Sequence, residues 1–135
     1  MKLPRMKSMI KWTGLFAFFV SLTACAAQQV YRNDVYLLNT CAVPLELSLV
    51  HDSNYDDQPR SFTLSPDERR SIANYTSAGK DVSRQVSDQY SLSIKTARAV
   101  KTIDAQTLRS ALKRVEKVEE KAVRSWTIDD RSFCP

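Results

Sequence analysis

The run Leu45-Glu46-Leu47-Ser48-Leu49 alternates apolar and polar residues at every step. A period of two places the three leucines on one face and Glu46 and Ser48 on the other, the pattern of a half-buried strand. The same period returns in residues 61–64, which put Phe62 and Leu64 on one face, and in residues 89–97, with Tyr90, Leu92 and Ile94 inward. It returns again in residues 122–129, with Trp126 and Ile128 on one face. Residues 30–38 are rich in Val, Tyr and Leu and read as a further strand. Pro66 is preset for the first central position of the turn Ser65-Pro66-Asp67-Glu68, so residues 69–75 read as the hairpin partner of 61–64. Residues 76–86 read as a long irregular loop around Gly79.

The period then changes. Leu108, Ala111, Leu112, Val115, Val118 and Ala122 recur at helical spacing. Asp104 suits an N-cap and Ile103 can staple onto Leu108, which starts the helix near Ala105. Residues 115–120 also fit an extended chain, so the C-terminal boundary stays open. Short strands at regular intervals followed by one amphipathic helix predict a mainly β fold. The expected form is a small β-sandwich of six or seven strands with the C-terminal helix across an open end or edge. The alternative is an α+β domain with one curved sheet wrapped on the helix.

Ahead of this domain the chain has a different character. Lys2, Arg5, Lys7 and Lys11 stand without an acid, an apolar run of about ten residues follows, and small residues come next. That order is the anatomy of an export signal, and the run is half the length of about twenty residues that a spanning helix needs. The final four residues, Leu22-Thr23-Ala24-Cys25, resemble the lipobox of bacterial lipoproteins. The resemblance implies cleavage after residue 24, acylation of Cys25 and stable anchoring, since two or more acyl chains hold a protein on a bilayer. Residues 25–29 would then be the acylated cysteine and a short tether, and residues 30–135 one periplasmic domain. In this class an Asp after the cysteine marks inner-membrane retention. Ala26 stands there instead, which implies the outer membrane. The alternative is ordinary cleavage at Ala24-Cys25-Ala26 and a soluble periplasmic or secreted protein.

Removing the signal changes the charge argument. The chain carries +5, and taking away the four positive charges of the signal leaves +1. Nucleic-acid binding, which rests on neutralising many phosphates, loses its support. The bases that remain concentrate in residues 95–124, and Lys113, Arg114, Lys117 and Lys121 form a candidate partner-binding face on the helix. The cysteine count also resolves. With Cys25 acylated, Cys41 and Cys134 remain in an oxidising compartment and are expected to pair.

Catalytic constellations are sparse. His51 is the only histidine, Gly79 is the only glycine after the signal, and no Gly-x-Ser-x-Gly elbow occurs. No cofactor and no metal site is expected. Asp52, Asn54 and Asp56 match the first three ligands of a calcium loop. The match stops there: Asp57 stands where that loop needs glycine, and Thr63 where it needs the bidentate glutamate. A polar connection with Asx turns accounts for the same residues. The expected function is a binding, adaptor or assembly-accessory module of an envelope complex, held to the membrane through Cys25 and meeting a protein partner near it. A ligand-binding or inhibitor module, such as a lysozyme inhibitor, is the alternative, and a carboxylate-based peptidoglycan hydrolase the third reading.

Overall fold

The computed structural model describes residues 27–135, so the expectations about Cys25 and the signal lie outside the described residues. Eight strands form: β1 (Tyr31–Leu38), β2 (Leu45–Val50), β3 (Arg60–Leu64), β4 (Arg69–Ser77), β5 (Ser91–Lys95), β6 (Val100–Asp104), β7 (Val118–Glu120) and β8 (Val123–Ile128). They make two four-stranded sheets, in the orders β4-β1-β8-β7 and β3-β2-β5-β6. A single core cluster draws residues from both sheets, including Val35, Leu37, Ile72 and Trp126 from the first and Leu47, Leu64, Leu92 and Ile94 from the second. The fold is a β-sandwich with one short helix. The period-two strands face as their pattern requires: Leu45, Leu47 and Leu49 are buried, and Glu46 and Ser48 are exposed.

Eight strands form where six or seven were expected, and the two without a sequence signal are β6 and β7. β6 directs only Ile103 into the core, and β7 is three residues long with every residue exposed, so neither carries an apolar alternation. The hairpin expected between residues 61–64 and 69–75 does not form. β3 pairs with β2, and β4 pairs with β1 in the other sheet, so the chain crosses between sheets at residues 65–68. The turn there is bonded to Asn39 rather than closed as a ladder, because Asp67 N–H donates to the Asn39 carbonyl and Asn39 N–H to the Glu68 carbonyl, each at 2.9 Å. A local turn motif cannot report that pairing choice.

β1 runs parallel to β8 and antiparallel to β4. Its register with β4 slips after Val35, which pairs with Ala73 while Tyr36 pairs with Ser71. The bulge lets the consecutive residues Ile72 and Ala73 both enter the core. Residues 76–86 are less irregular than expected, since β4 continues to Ser77 and a 3-10 turn, Val82–Gln85, buries Val82.

The helix α1 (Ala105–Arg114) begins where the sequence indicates. Asp104 caps it, its carboxylate accepting from Thr107 N–H at 2.8 Å, and that bond holds its carboxyl below the usual range. Ala105, Leu108, Ala111 and Leu112 are buried, and the helix packs beside β6 and the 3-10 turn. It ends at Arg114, so Val118 and Ala122 do not continue its apolar face; Val118 belongs to β7 and is exposed. The helical spacing of these two residues is coincidental to a strand and a turn.

Candidate functional site

The strand directions sort the loops. β1 and β8 start at one end of the sandwich and finish at the other, where the connection 39–44, the turn 65–68, the hairpin bend 96–99 and the C-terminal residues also lie. Residues 27–30 enter at the first end, before Tyr31. The second end, here termed the tip, is therefore remote from it by the length of β1, about 25 Å for eight residues of strand.

The tip is fixed in two ways. Cys41 and Cys134 form a disulfide with Cα atoms 5.9 Å apart across 93 residues of sequence. Asn39, almost fully buried, supplies the second constraint. Its Nδ2 donates to the carbonyls of Val43 and Leu64, both at 3.0 Å, and its Oδ1 accepts from Cys41 N–H at 2.9 Å. With its two backbone bonds to Asp67 and Glu68, this one side chain and its peptide groups join the 39–44 connection to the 65–68 turn. The tip exposes Ala42, Val43 and Pro44, with Val43 46% exposed, beside Ala97 and Arg98 of the β5–β6 bend. Val43, Pro44 and residues 96–98 border a mostly apolar depression of about 580 Å³. Pro66 and Pro135 flank the disulfide on its other side.

The four bases offered as one helix face separate. Lys113 and Arg114 sit on the last turn of α1, Lys117 lies in the connection after it, and Lys121 occupies the β7–β8 turn with φ 55°. Arg114 is 3.7 Å from Asp130 and Lys117 is 3.2 Å from Glu119. They do not make one helix face, because the helix ends before the third of them.

The acidic loop has a structural role. Asn74 N–H donates to the Asp52 carbonyl at 2.8 Å, and Ser53 bridges to Asn74. Asn54 then continues the cover. Its Nδ2 donates to the Thr76 carbonyl at 2.7 Å and its Oδ1 accepts from Thr76 N–H at 3.0 Å. Residues 52–54 thus cover part of the outer edge of β4, which an open strand would leave available for pairing. Asp56 closes an Asx turn on Gln58 N–H at 3.0 Å. The three residues that resembled calcium ligands are occupied separately.

That loop also roofs a cleft of about 350 Å³ on the outer side of β1 and β4. Two carboxylates form its floor, with side chains only 4% and 5% exposed: Asp34 on β1 and Asp52. Asp34 Oδ2 receives Arg32 Nε at 2.9 Å and Nη2 at 2.8 Å, and its Oδ1 receives Asn74 Nδ2. Asp52 Oδ2 receives Arg60 Nε at 2.7 Å and also Arg60 Nη2. No donor among the described residues reaches Asp52 Oδ1. Asp34, Arg60 and Asn74 were not read as site residues. The available signal was Asn33-Asp34 inside an otherwise strand-like run, two polar residues where one alternation has room for only one outward.

The end opposite the tip has its own polar row. Tyr75, Asn33 and Arg124 pair in register across β4, β1 and β8. Arg124 is 3% exposed, stacks on the Tyr31 ring at 3.4 Å and donates to the Gly79 carbonyl at 2.7 Å. Its Nε lies 3.4 Å from Glu119 Oε2, within ion-pair reach but not aligned as a hydrogen bond. Burial raises the Tyr75 hydroxyl well above its usual range, and it raises Tyr90 likewise.

No family model, no curated protein and no solved structure matches the chain.

Proposed function

We propose that the protein is a lipid-anchored binding module of the bacterial envelope that presents its tip to a protein partner. The observation that carries this reading is the double fixing of the tip by the disulfide and by Asn39. Connecting loops are ordinarily the mobile part of a domain, and a loop held in one conformation loses less entropy on binding. Exposed Val43 and Pro44 on such a loop give a partner apolar surface that is already ordered. From acylated Cys25, a tether of six residues to Tyr31 reaches about 20 Å at most. With the length of the sandwich added, the tip works within about 45 Å of the bilayer. The inhibitor alternative in which the acidic loop plugs a cleft is weakened, because residues 52–54 are bonded along β4. The hydrolase alternative needs two working carboxylates, and both oxygens of Asp34 are already engaged.

Two experiments test the proposal. Cys25→Ser tests the anchor: the wild type should fractionate with membranes and the variant should not, and a variant that stays with membranes refutes acylation there. Crosslinking of the tagged, lipidated protein in intact cells tests the adaptor role. A discrete protein adduct is expected, and recovery of lipid and peptidoglycan alone would contradict it.

A further inference from the structure

The apolar depression at the tip has two ordered walls. One is the 39–44 connection, held by Asn39 and the disulfide. The other is the β5–β6 bend. There Thr96 N–H donates to the Ala99 carbonyl at 2.9 Å, and Thr96 Oγ1 accepts from Arg98 N–H at 3.3 Å and from Ala99 N–H at 3.2 Å. The volume of about 580 Å³ lies within the range of ligand pockets, roughly 300–1,000 Å³. Val43, Pro44 and Ala97 supply the apolar part of the lining, so an occupant gains by burying apolar groups there.

Charge defines what accompanies those groups. Arg98 is the only charged residue of that lining. Of the ten arginines among the described residues, seven stand within ion-pair reach of an acid, and Arg69 lies over the Tyr36 ring. The two with neither kind of partner among the described residues are Arg98 and Arg131, and both border depressions at the tip. Arg131 shares its depression with Asp67, which leaves no surplus of charge on that side. The Arg98 side keeps its surplus. A guanidinium takes a carboxylate through two parallel N–H bonds, and such charge-assisted pairs are the stronger class of hydrogen bond.

The complementary occupant carries an apolar side chain next to a carboxylate. A lipid with an anionic headgroup has the same two parts, but the tip lies about 25 Å from the end where residues 27–30 enter. A chain anchored through that end therefore holds the depression away from its own bilayer. We infer that this depression receives a short peptide segment of the partner, with an apolar side chain against Val43, Pro44 and Ala97 and an adjacent carboxylate on Arg98. This rests on the proposed binding role of the tip and names the chemistry of the partner there.

Nitrogen-15 NMR of the full chain as isolated from cells, in nanodiscs of neutral lipid, tests the inference with three blocked tripeptides at millimolar concentration. N-acetyl-Leu-Asp-Leu-amide should shift the amides of Val43, Ala97 and Arg98. The Leu-Asn-Leu and Ser-Asp-Ser analogues, which lack the charge and the apolar groups in turn, should each bind about tenfold more weakly, the effect of one good charged hydrogen bond or one buried side chain. Arg98→Glu should weaken the first peptide by the same factor. That variant keeps the backbone bond to Thr96 and breaks no ion pair among the described residues, so the fold is retained. Equal binding of the three peptides, undiminished binding in Arg98→Glu, or no shift at these amides overturns the inference. So do shifts there that follow anionic lipid added to the nanodisc, or protein concentration alone, which would make the bilayer or a second copy the occupant. In cells the two readings separate: a protein adduct from a crosslinker at Val43 that persists in Arg98→Glu keeps the tip reading and overturns this one, and no adduct overturns both.

Discussion

Replacing Asn39 with alanine should cost the domain about 3 kcal/mol, and the structure shows where that figure comes from. The substitution leaves the backbone bonds to Asp67 and Glu68 in place. It removes three side-chain bonds: two donated to the Val43 and Leu64 carbonyls and one accepted from Cys41 N–H. A typical intramolecular hydrogen bond contributes a net of about 1 kcal/mol, and a buried group left unpaired costs about 1–3 kcal/mol. The bond to the Leu64 carbonyl is fully buried and falls in the costlier class, while Val43 and Cys41 can regain water. At about 4–8 °C per kcal/mol for a domain near this size, Tm should fall by about 12–24 °C. Urea denaturation followed by far-ultraviolet circular dichroism, with the disulfide intact, measures the free energy directly. Asn39→Asp sharpens the test. It keeps the acceptor for Cys41 but loses both donors and sets a carboxylate against two carbonyl oxygens, so it should be no better tolerated than alanine. A loss below about 1 kcal/mol for alanine, or an aspartate variant more stable than the alanine one, would refute the claim that this side chain holds the tip together.

Other consequences follow from the same geometry. Replacing Cys41 and Cys134 together should destabilise the domain by up to about 4–5 kcal/mol, the entropic value for a loop of 93 residues. The Asn39→Ala penalty should shrink in that background, because both devices hold one loop; strict additivity in a double-mutant cycle would show them to be independent. Asn54→Ala should uncover the edge of β4, raise amide exchange at Thr76 and promote association at high concentration; unchanged exchange there would show that the edge is protected by something else. Burial raises Tyr75 and Tyr90, so the folded state holds both protons above the range where the unfolded chain releases them. Their contribution is complete below about pH 10 and is lost as pH rises beyond it, so stability should fall on the alkaline side, and replacing Tyr90 with Phe should flatten that fall.

Local patterns determined much of this fold. The leucines of β2, the capping Asp104 and the facing of Trp126 and Ile128 follow from spacing alone, because burial of one face is a strictly local demand on a strand or a helix. Partner choice was not legible. Phe62 and Leu64 look the same in sequence whether β3 pairs with β4 or with β2, and the outcome depends on Asn39, some 25 residues away. The end of α1 was ambiguous because Val115 and Val118 suit a helix face and an extended chain equally well. The pairing of Cys41 with Cys134 could be reasoned from parity and compartment. The tip it fixes could not, since that needs the strand directions. The cleft was the least visible part, because Asp34, Asp52, Arg60 and Asn74 come from four separate segments and are brought together only by the β1–β4 pairing and the covering loop.

The most direct test of the account places a photo-crosslinking amino acid at Val43 in the lipidated full-length protein within intact cells. A second protein carries the same probe at Ser93, on the outer face of the other sheet. The account predicts a discrete protein adduct from Val43, its loss when Asn39→Ala loosens the tip, and none from Ser93. No adduct from Val43, or the same adduct from both positions, would contradict it.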